Sequence, residues 1–219
     1  MKHLARSAAF SVASVVASGA AVAQMPGDVT LGGGVSTLGA TLEVSSRLTD
    51  QFGIRVPVGY GSYSRTETVD GTPLDGDLRL GGVGLLADYF PMANGFRISG
   101  GVFYNNYRME GDARGTVTVQ GRVYTGEVNA EVNPRSDFSP MLVIGYDSNP
   151  YNAGWGFSGD LGAIFGRGFD VSVTGEQDGG PLLQDQFEED LADLERSIRD
   201  DVSGWRTIPY VKLAVTYRF

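Results

Sequence analysis

The sequence has no cysteine, and its one histidine, His3, stands near the amino terminus of the 219-residue chain. The lack of cysteine excludes disulfides, thiolate metal sites and thiol nucleophiles. Because no histidine follows His3, the rest of the chain has no imidazole to act as a general base for serine or aspartate chemistry. Paired carboxylates could replace it, but none has a recognisable spacing. We therefore expect no enzymatic activity, no catalytic residue and no cofactor.

Positive charge and long apolar runs are also scarce. Seventeen Lys and Arg stand against 26 Asp and Glu, so the basic surface that nucleic acid requires is missing. No stretch beyond the first 23 residues approaches the ~20 apolar residues of a membrane-spanning helix. Those 23 residues combine Lys2 and Arg6, a short apolar run and a small-residue cleavage site at 21–23. They predict a secretory signal peptide, which leaves 24–219 as the mature domain.

Alternating apolar and polar residues fill much of that domain and predict two-faced β-strands. In "TLEVSSRL", for example, Leu42 and Val44 share one face while Glu43 and Arg47 share the other. With a short strand near 28–34 and the final strand, the pattern gives eight strands. The connections between them are short at 49–51, 91–95 and 148–154 and long at 67–76, 109–136 and 174–206. Short turns at one end and long loops at the other are typical of outer-membrane β-barrels.

A soluble eight-stranded barrel would have the same period, so the composition of the polar face decides between the two. A solvated outer face would be dense in Lys and Glu, whereas this face is mostly Gly, Ser and Thr. Small residues suit the narrow interior of eight strands, so the apolar face should contact lipid. Aromatic residues at the strand ends then predict two interfacial girdles. One girdle comprises Phe52, Tyr89, Phe96, Tyr146, Trp155, Tyr217 and Phe219, and the other Tyr60, Tyr104, Phe165 and Tyr210.

Single charges on the polar face are predicted to meet across the lumen. They are Glu43, Arg47, Arg55, Asp88, Arg97, Asp160, Lys212 and Arg218. A buried charge is costly unless it is paired, so we expect a structural ion-pair network centred on Arg55, Asp88, Arg97 and Asp160. A gate or narrow ion path is the alternative, because lumen charges tune selectivity. Large inward residues such as Leu86, Phe103, Met141 and Tyr210 argue against an open pore.

One segment breaks the alternation and predicts an amphipathic helix over about 181–203, before the last strand. Pro181 suits a helix start and Gly204 a helix end. Its apolar face is predicted to comprise Leu183, Phe187, Leu191, Leu194, Ile198 and Val202. We expect this helix to lie across the barrel mouth, with a partner or lipopolysaccharide contact as the alternative. Its acidic residues allow calcium, but no EF-hand spacing is present, and we expect no metal site.

The long connection between Glu110 and Asp137 contains "GTVTVQGRVYTGEV". Gln120-Gly121, flanked by Thr and Val residues, predicts a β-hairpin above the membrane. Two roles fit this hairpin: a loop extension without a binding partner, or adhesion through an exposed sheet edge.

The chain closes on "TIPYVKLAVTYRF", a two-faced strand that should pair with the first strand to remove the barrel's free edge. Bacterial outer-membrane barrels typically end in this way, and "VKLAVTYRF" resembles the signature that the barrel assembly machinery reads. That resemblance implies that Leu213, Val215, Tyr217 and Phe219 form a C-terminal assembly signal.

Residues 26–219 also resemble small eight-stranded outer-membrane barrels with OmpA-like transmembrane architecture. "GLLADYFPMANGFRISGGVFYN" and "WGFSGDLGAIF" look like a subgroup without an assigned activity. No peptidoglycan-binding domain is expected after Phe219, so the resemblance does not imply peptidoglycan binding for this chain.

Together these observations predict an all-β protein: an eight-stranded antiparallel up-and-down transmembrane β-barrel with one amphipathic helix. It should lie in the outer membrane of a Gram-negative bacterium, with both mature termini periplasmic. Its expected partners are outer-membrane lipid, lipopolysaccharide and the assembly machinery, with no nucleic acid, and it should be a monomer. The expected role is structural or surface interaction, with a narrow, porin-like conduit for small or hydrophobic solutes as the alternative.

Overall fold

The computed structural model describes residues 28–69 and 72–219. The predicted signal peptide, 1–23, lies outside these residues. The described chain forms eleven β-strands and one α-helix. In chain order they are β1 (Asp28–Ser36), β2 (Gly39–Arg47), β3 (Phe52–Val69), β4 (Thr72–Tyr89), β5 (Phe96–Asn105), β6 (Arg108–Val119), β7 (Arg122–Pro134), β8 (Phe138–Asp147), β9 (Gly154–Phe165), β10 (Phe169–Gln177), α1 (Pro181–Val202) and β11 (Thr207–Arg218).

Eight of these strands form a closed antiparallel barrel. Around the ring the order is β1, β2, β3, β4, β5, β8, β9 and β11, and β11 pairs with β1. In the closing pair, Leu31 lies opposite Tyr217 and Ser36 opposite Lys212. The predicted all-β fold, with eight barrel strands and one helix before the last strand, is therefore confirmed.

The two ends of the barrel differ. The end that carries β1's start, β11's end and the short turns is called the proximal end, and the opposite end is called the distal end. The proximal connections run over 48–51, 90–95 and 148–153. At the distal end, β3 and β4 extend beyond the ring, β6 and β7 lie between β5 and β8, and β10 and α1 lie between β9 and β11. Between β1 and β2 there are only the two residues Thr37 and Leu38.

The outer face of the barrel is apolar and exposed. Leu213, for example, leaves 66% of its surface accessible. The outward apolar residues between the two ends include Leu42, Val44, Ile54, Val58, Val83, Leu85, Ile98, Val102, Leu142, Ile144, Leu161, Val211, Leu213 and Val215. Aromatic side chains are exposed near both ends, among them Phe52, Tyr146 and Trp155 proximally. Tyr210 was predicted in the distal girdle but is buried inside the barrel. Its place in the β11 alternation, in step with Lys212, turns it inward.

The distal connections contain much more β-structure than the sequence indicated. β3 and β4 continue past the barrel as a hairpin, and β6, β7 and β10 extend the sheet from β4. We call these distal parts of β3 and β4, together with β6, β7 and β10, the distal sheet. Within β4, Gly82 lies where the partner changes from β5 to β6, and its φ is +153°. A Cβ there would collide with Tyr104 O and the Phe103 ring, so the change of partner requires glycine.

The helix packs on the distal sheet, chiefly against β10 and β6. Phe187 and Leu191 are buried there, and Leu194, Ile198 and Val202 pack beside them. The sixth residue of the predicted face, Leu183, is 47% exposed because it lies at the helix start beside Gly179. The helix is thus seated on strands formed by the long connections. We call α1 and the distal sheet together the distal unit.

Candidate functional site

The lumen contains a cluster of buried ion pairs, and Arg55 is at its centre. The Arg55 guanidinium donates to Asp88 at 3.1 to 3.3 Å, to Glu43 at 3.2 Å and to Asp160 at 2.5 Å. It also donates to the Ser99 hydroxyl at 2.9 Å. Arg55 is 1% exposed, so four strands converge on one charge that is shielded from solvent.

Two more cations complete the cluster. Lys212 Nζ lies 2.5 Å from Glu43 Oε2 and 2.7 Å from Asp160 Oδ2. Arg97 donates to the other Asp160 oxygen at 2.6 Å. Asp160 therefore contacts three cations. The lumen network comprises Glu43, Arg55, Asp88, Arg97, Asp160 and Lys212, three formal charges of each sign.

The strand register explains why these groups meet. Arg97 of β5 lies opposite Gly145 of β8, and Gly145 lies opposite Asp160 of β9. Asp160 in turn lies opposite Lys212 of β11. A Cβ at Gly145 would overlap the Asp160 carboxylate, so the missing side chain provides the space in which Arg97 reaches Asp160.

The other two predicted lumen charges lie nearer the proximal end. Arg47 stacks on Phe90, with its Cζ 3.9 Å from the ring centre, and on Tyr151 at 4.6 Å. Its guanidinium donates to the carbonyls of Asp50 at 2.6 Å and Asn94 at 3.2 Å. Arg47 thereby joins the three proximal turns. Arg218 is buried in the proximal lumen, where it lines a cavity of about 30 Å³ together with Arg47, Arg55 and Arg97.

An apolar layer fills the distal half of the lumen. Its buried members are Leu38, Leu86, Phe103, Tyr107, Met141, Val143, Ile164 and Tyr210. Leu38 comes from the short β1–β2 connection and turns into the lumen, where it packs over Gly59. Phe103 and Tyr107 stack with ring centres 6.3 Å apart. The lumen is thus charged and paired on the proximal side and apolar on the distal side.

The distal unit is tied together by a buried carboxylate on α1. Asp190 Oδ2 accepts from the Tyr124 hydroxyl at 2.6 Å, and Oδ1 accepts from Arg122 at 2.8 Å. The Tyr124 hydrogen bond is the main cause that lowers the pKa of Asp190 below its ordinary value, and Arg122 adds to it against the effect of burial. The Tyr124 ring also packs on Phe187, with centres 4.8 Å apart. One helical turn therefore holds the β6–β7 hairpin by both polar and apolar contacts.

The helix also satisfies backbone groups of β10, which among the described strands pairs with β7 alone. Val173 N–H donates to Glu195 at 3.3 Å, and Gln177 N–H donates to Gln184 at 3.2 Å. Arg199 donates to Val171 O at 3.4 Å and to Glu195. Side chains of α1 thus occupy part of the edge that another strand would otherwise use.

The predicted C-terminal assembly signal lies on the outer face of β11. Leu213, Val215 and Phe219 are exposed, and Tyr217 is half-buried. Tyr217 packs edge-on against Trp155 at 5.1 Å and Phe219 at 5.0 Å. Phe219 N–H donates to Val29 O at 3.0 Å, so the last residue is fixed to β1.

The structure adds contacts that sequence reasoning missed. Phe90 lies two residues after Asp88, so the alternation along the chain places it on the same inward side and could have predicted it. Leu38 and Tyr151 lie in connections without alternation, so no local signal marks them. The partners of Asp190 are 66 and 68 residues away along the chain, which places that contact beyond any sequence spacing rule.

Neither a metal-binding cluster nor a membrane-spanning helix is present in the described ranges. No cluster of three or more carboxylates in residues 28–69 and 72–219 is arranged to hold a metal ion. Within the same ranges, no helix combines the length and the apolar character that crossing a membrane requires.

Two solved structures have a similar fold. CarO2 from Acinetobacter baumannii superposes with a TM-score of 0.57 at 20% identity, over 88% of this chain and 98% of that chain. CarO from the same organism gives a TM-score of 0.55 at 20% identity, over 89% and 98%. The chain has the fold of a small eight-stranded outer-membrane β-barrel. No protein-family model and no curated protein matches the sequence.

Proposed function

We propose that the protein is an integral outer-membrane β-barrel with a closed lumen, and that its role is to hold the distal unit at the cell surface. In this proposal the proximal end and both mature termini face the periplasm. The observation that carries it is the filled lumen, in which a neutral ion-pair network lies beneath an apolar layer. Arg55, Lys212, Phe103 and Tyr210 are each at most 1% exposed.

The structure of the distal unit favours a role in binding a partner over that of a loop extension without a partner. It has its own apolar cluster, formed by strands β6, β7 and β10 and by α1. A separate core keeps the unit's shape defined, and pre-organised surfaces of this kind bind partners with little backbone movement. No catalytic activity is proposed, because neither histidine nor cysteine is available for it in the barrel or the distal unit.

A narrow conduit is the second candidate. The cavity of about 30 Å³ at the proximal end, lined by four arginines, favours it. Such a path would have to pass the apolar layer near Leu38 and Phe103, and would require those side chains to move.

Single-channel recording in planar bilayers separates the two candidates. The refolded full mature chain, verified as a barrel by its heat-dependent gel mobility, should give no discrete conductance steps. Asp160→Ala recorded beside it should also be silent, because the apolar layer remains. Steady steps from the wild type whose size changes in Asp160→Ala would contradict the closed lumen and favour the conduit.

A further inference from the structure

One edge of the distal sheet has no neighbouring strand. The pairing between β2 and β3 ends at Tyr60, and from Ser62 to Thr66 β3 pairs, among the described strands, with β4 alone. Only two residues connect β1 to β2, so that connection is too short to extend beside β3. We call the backbone of β3 from Ser62 to Thr66 the open edge. The β6–β7 hairpin has no such edge, because β6 also pairs with β4 and β7 with β10.

The open edge lacks the features that usually prevent the addition of another strand. All residues from Ser62 to Thr66 are exposed, and none of them is proline or lysine. Their register with β4 continues without a bulge, from Ser62 opposite Arg79 to Thr66 opposite Asp75. At the other end of the sheet, in contrast, side chains of α1 hydrogen-bond the backbone of β10. A regular, unprotected edge is a template on which an extended polypeptide can pair.

The polar face beside the open edge has carboxylates without a cation. Asp77 accepts a hydrogen bond from Ser64, and Asp75 accepts one from Thr66 at 2.7 Å. Asp75 also lies directly opposite Asp112 of β6. None of the three carboxylates forms an ion pair with a residue in the described ranges. Like charges opposite each other in a sheet are unfavourable, so a cation from a partner would stabilise this face.

The opposite face beside the open edge is mostly apolar. Tyr63, Leu78 and Met109 lie opposite one another on β3, β4 and β6. Tyr63 is 59% exposed and Met109 is 46% exposed, because the residues that pack with α1 lie farther along the sheet. Arg65 shares this face and already has a partner within the chain. The open edge is thus acidic on one face and largely apolar on the other.

We propose that the open edge binds an extended polypeptide segment in which cationic and apolar side chains alternate, and that this segment pairs with β3 as an additional strand. Alternate residues of a strand point to opposite faces, so the apolar residues lie beside Tyr63 and the cationic ones beside Ser64 and Thr66. Those two side chains are small, so a lysine on a strand about 4.8 Å from β3 extends across them to Asp75 and Asp77.

The charge of the whole chain favours the approach of such a segment, since 26 acidic residues stand against 17 basic ones. This partner belongs to the proposed interaction role and depends on the proposed position of the distal unit outside the cell. The binding itself requires only the folded protein, so it can be measured apart from that position.

Fluorescence anisotropy with the refolded full mature chain in detergent tests the binding, with a labelled peptide that alternates Lys and Val as the probe. Two further forms of the peptide are N-methylated, each on one alternate set of backbone amides. Only one of them should bind less tightly, by at least about tenfold, because an added strand donates to its neighbour through every second amide.

The double variant Asp75→Asn/Asp77→Asn should bind the unmethylated peptide at least about tenfold less tightly, because charge-assisted contacts with lysine are lost. Glu176→Gln/Asp178→Asn is the matched control. It removes the same number of charges from exposed positions, but at the end of β10 on the other side of the sheet. It should bind the peptide as the wild type does.

Cross-linking locates the bound segment, because the chain has no cysteine of its own. Ser62→Cys places a thiol at the open edge, and Ser172→Cys places one on β10, whose edge contacts α1. Under mild oxidation, a form of the peptide with one cysteine should form a disulfide with Ser62→Cys and not with Ser172→Cys, since neighbouring strands lie within disulfide reach.

The proposal is wrong if the peptide does not bind, if both methylated forms bind as the parent does, or if Asp75→Asn/Asp77→Asn leaves binding unchanged. Equal cross-linking of Ser62→Cys and Ser172→Cys would also overturn it. Disulfide-linked dimers of Ser62→Cys that form without peptide would assign the open edge to a second copy of the chain instead. A barrel that conducts in bilayers but binds the peptide as expected would contradict the closed lumen and leave this partner intact.

Discussion

At the scale of single residues, side chains alternate between the two faces along each strand, and this alternation places the predicted lumen charges inside the barrel. The strand register then decides which of them pair. Arg55 reaches three carboxylates because β2, β4 and β9 each present an inward acid near it. Full pairing is what makes such burial tolerable, because an isolated charge in this position would be strongly unfavourable.

Replacing Arg55 by Met should destabilise the barrel by about 3–5 kcal/mol, because it leaves buried carboxylates without their shared cation. Urea unfolding in lipid vesicles, followed by tryptophan fluorescence, measures the change. The control is Arg114→Met in the exposed pair with Glu127, which should change stability by about 0–1 kcal/mol. Equal effects of the two substitutions would mean that the lumen network contributes no more than a surface pair.

Gly145 shows that a missing side chain can matter as much as a charge. Gly145→Ala should destabilise the barrel by about 1–3 kcal/mol, because the added methyl displaces Asp160 from Arg97. The same unfolding assay applies. Gly111→Ala in β6 is the matched control, since a Cβ there meets nothing within 4 Å. If both variants unfold at the same urea concentration as the wild type, the Arg97–Asp160 contact tolerates the methyl.

At the scale of elements, α1 makes two kinds of contact whose partners its amphipathic pattern did not identify. Its apolar face covers the distal sheet, and three of its polar side chains hydrogen-bond the backbone of β10. An uncovered edge strand is a template for association, so the helix also limits strand addition at β10.

The helix contact should weaken in acid. Asp190 has a lowered pKa in the folded protein, so its contribution to stability is complete above the ordinary value of 3.8 and is lost as the pH falls through the folded pKa. The hydrogen-exchange protection factors of α1 and β7 should therefore fall below about pH 4, more than those of the barrel strands.

Asp190→Asn tests the same contact without a change of pH. It should speed exchange of α1 at pH 7, because a neutral amide accepts more weakly from Arg122, and it should remove most of the acid dependence. Asp185→Asn, in the same helix but exposed and outside the contact with Tyr124 and Arg122, is the control. An acid dependence that persists in Asp190→Asn would assign it to another carboxylate.

At the scale of the whole molecule, closure joins the two ends of the chain. β1 and β11 are separated by most of the sequence, yet they form a continuous ladder, and Phe219 is held to Val29 at its end. The long connections do not interrupt this closure, because they pair among themselves as the distal sheet and leave the ring of eight complete.

Phe219→Ala should slow assembly in cells severalfold while leaving the finished barrel nearly as stable, because the ring is exposed on the outer face and makes no lumen contact. Pulse-chase labelling with heat-dependent gel mobility measures assembly, and urea unfolding of purified protein measures stability. Phe157→Ala, another exposed outward ring on β9, is the control. Equal assembly rates for both variants would argue against a C-terminal signal at Phe219.

The sequence by itself determined the barrel, because a period of two with apolar and small polar faces leaves little choice but a closed sheet with its apolar face outward. It also determined which charges face inward, since the alternation of side chains between the two faces is a local property of each strand. Tertiary structure alone decided that Leu38 fills the lumen, that Arg47 joins the proximal turns and that Asp190 holds Tyr124 and Arg122. These contacts join residues in different connections and elements, and their geometry depends on strand register and loop path, which no local pattern encodes.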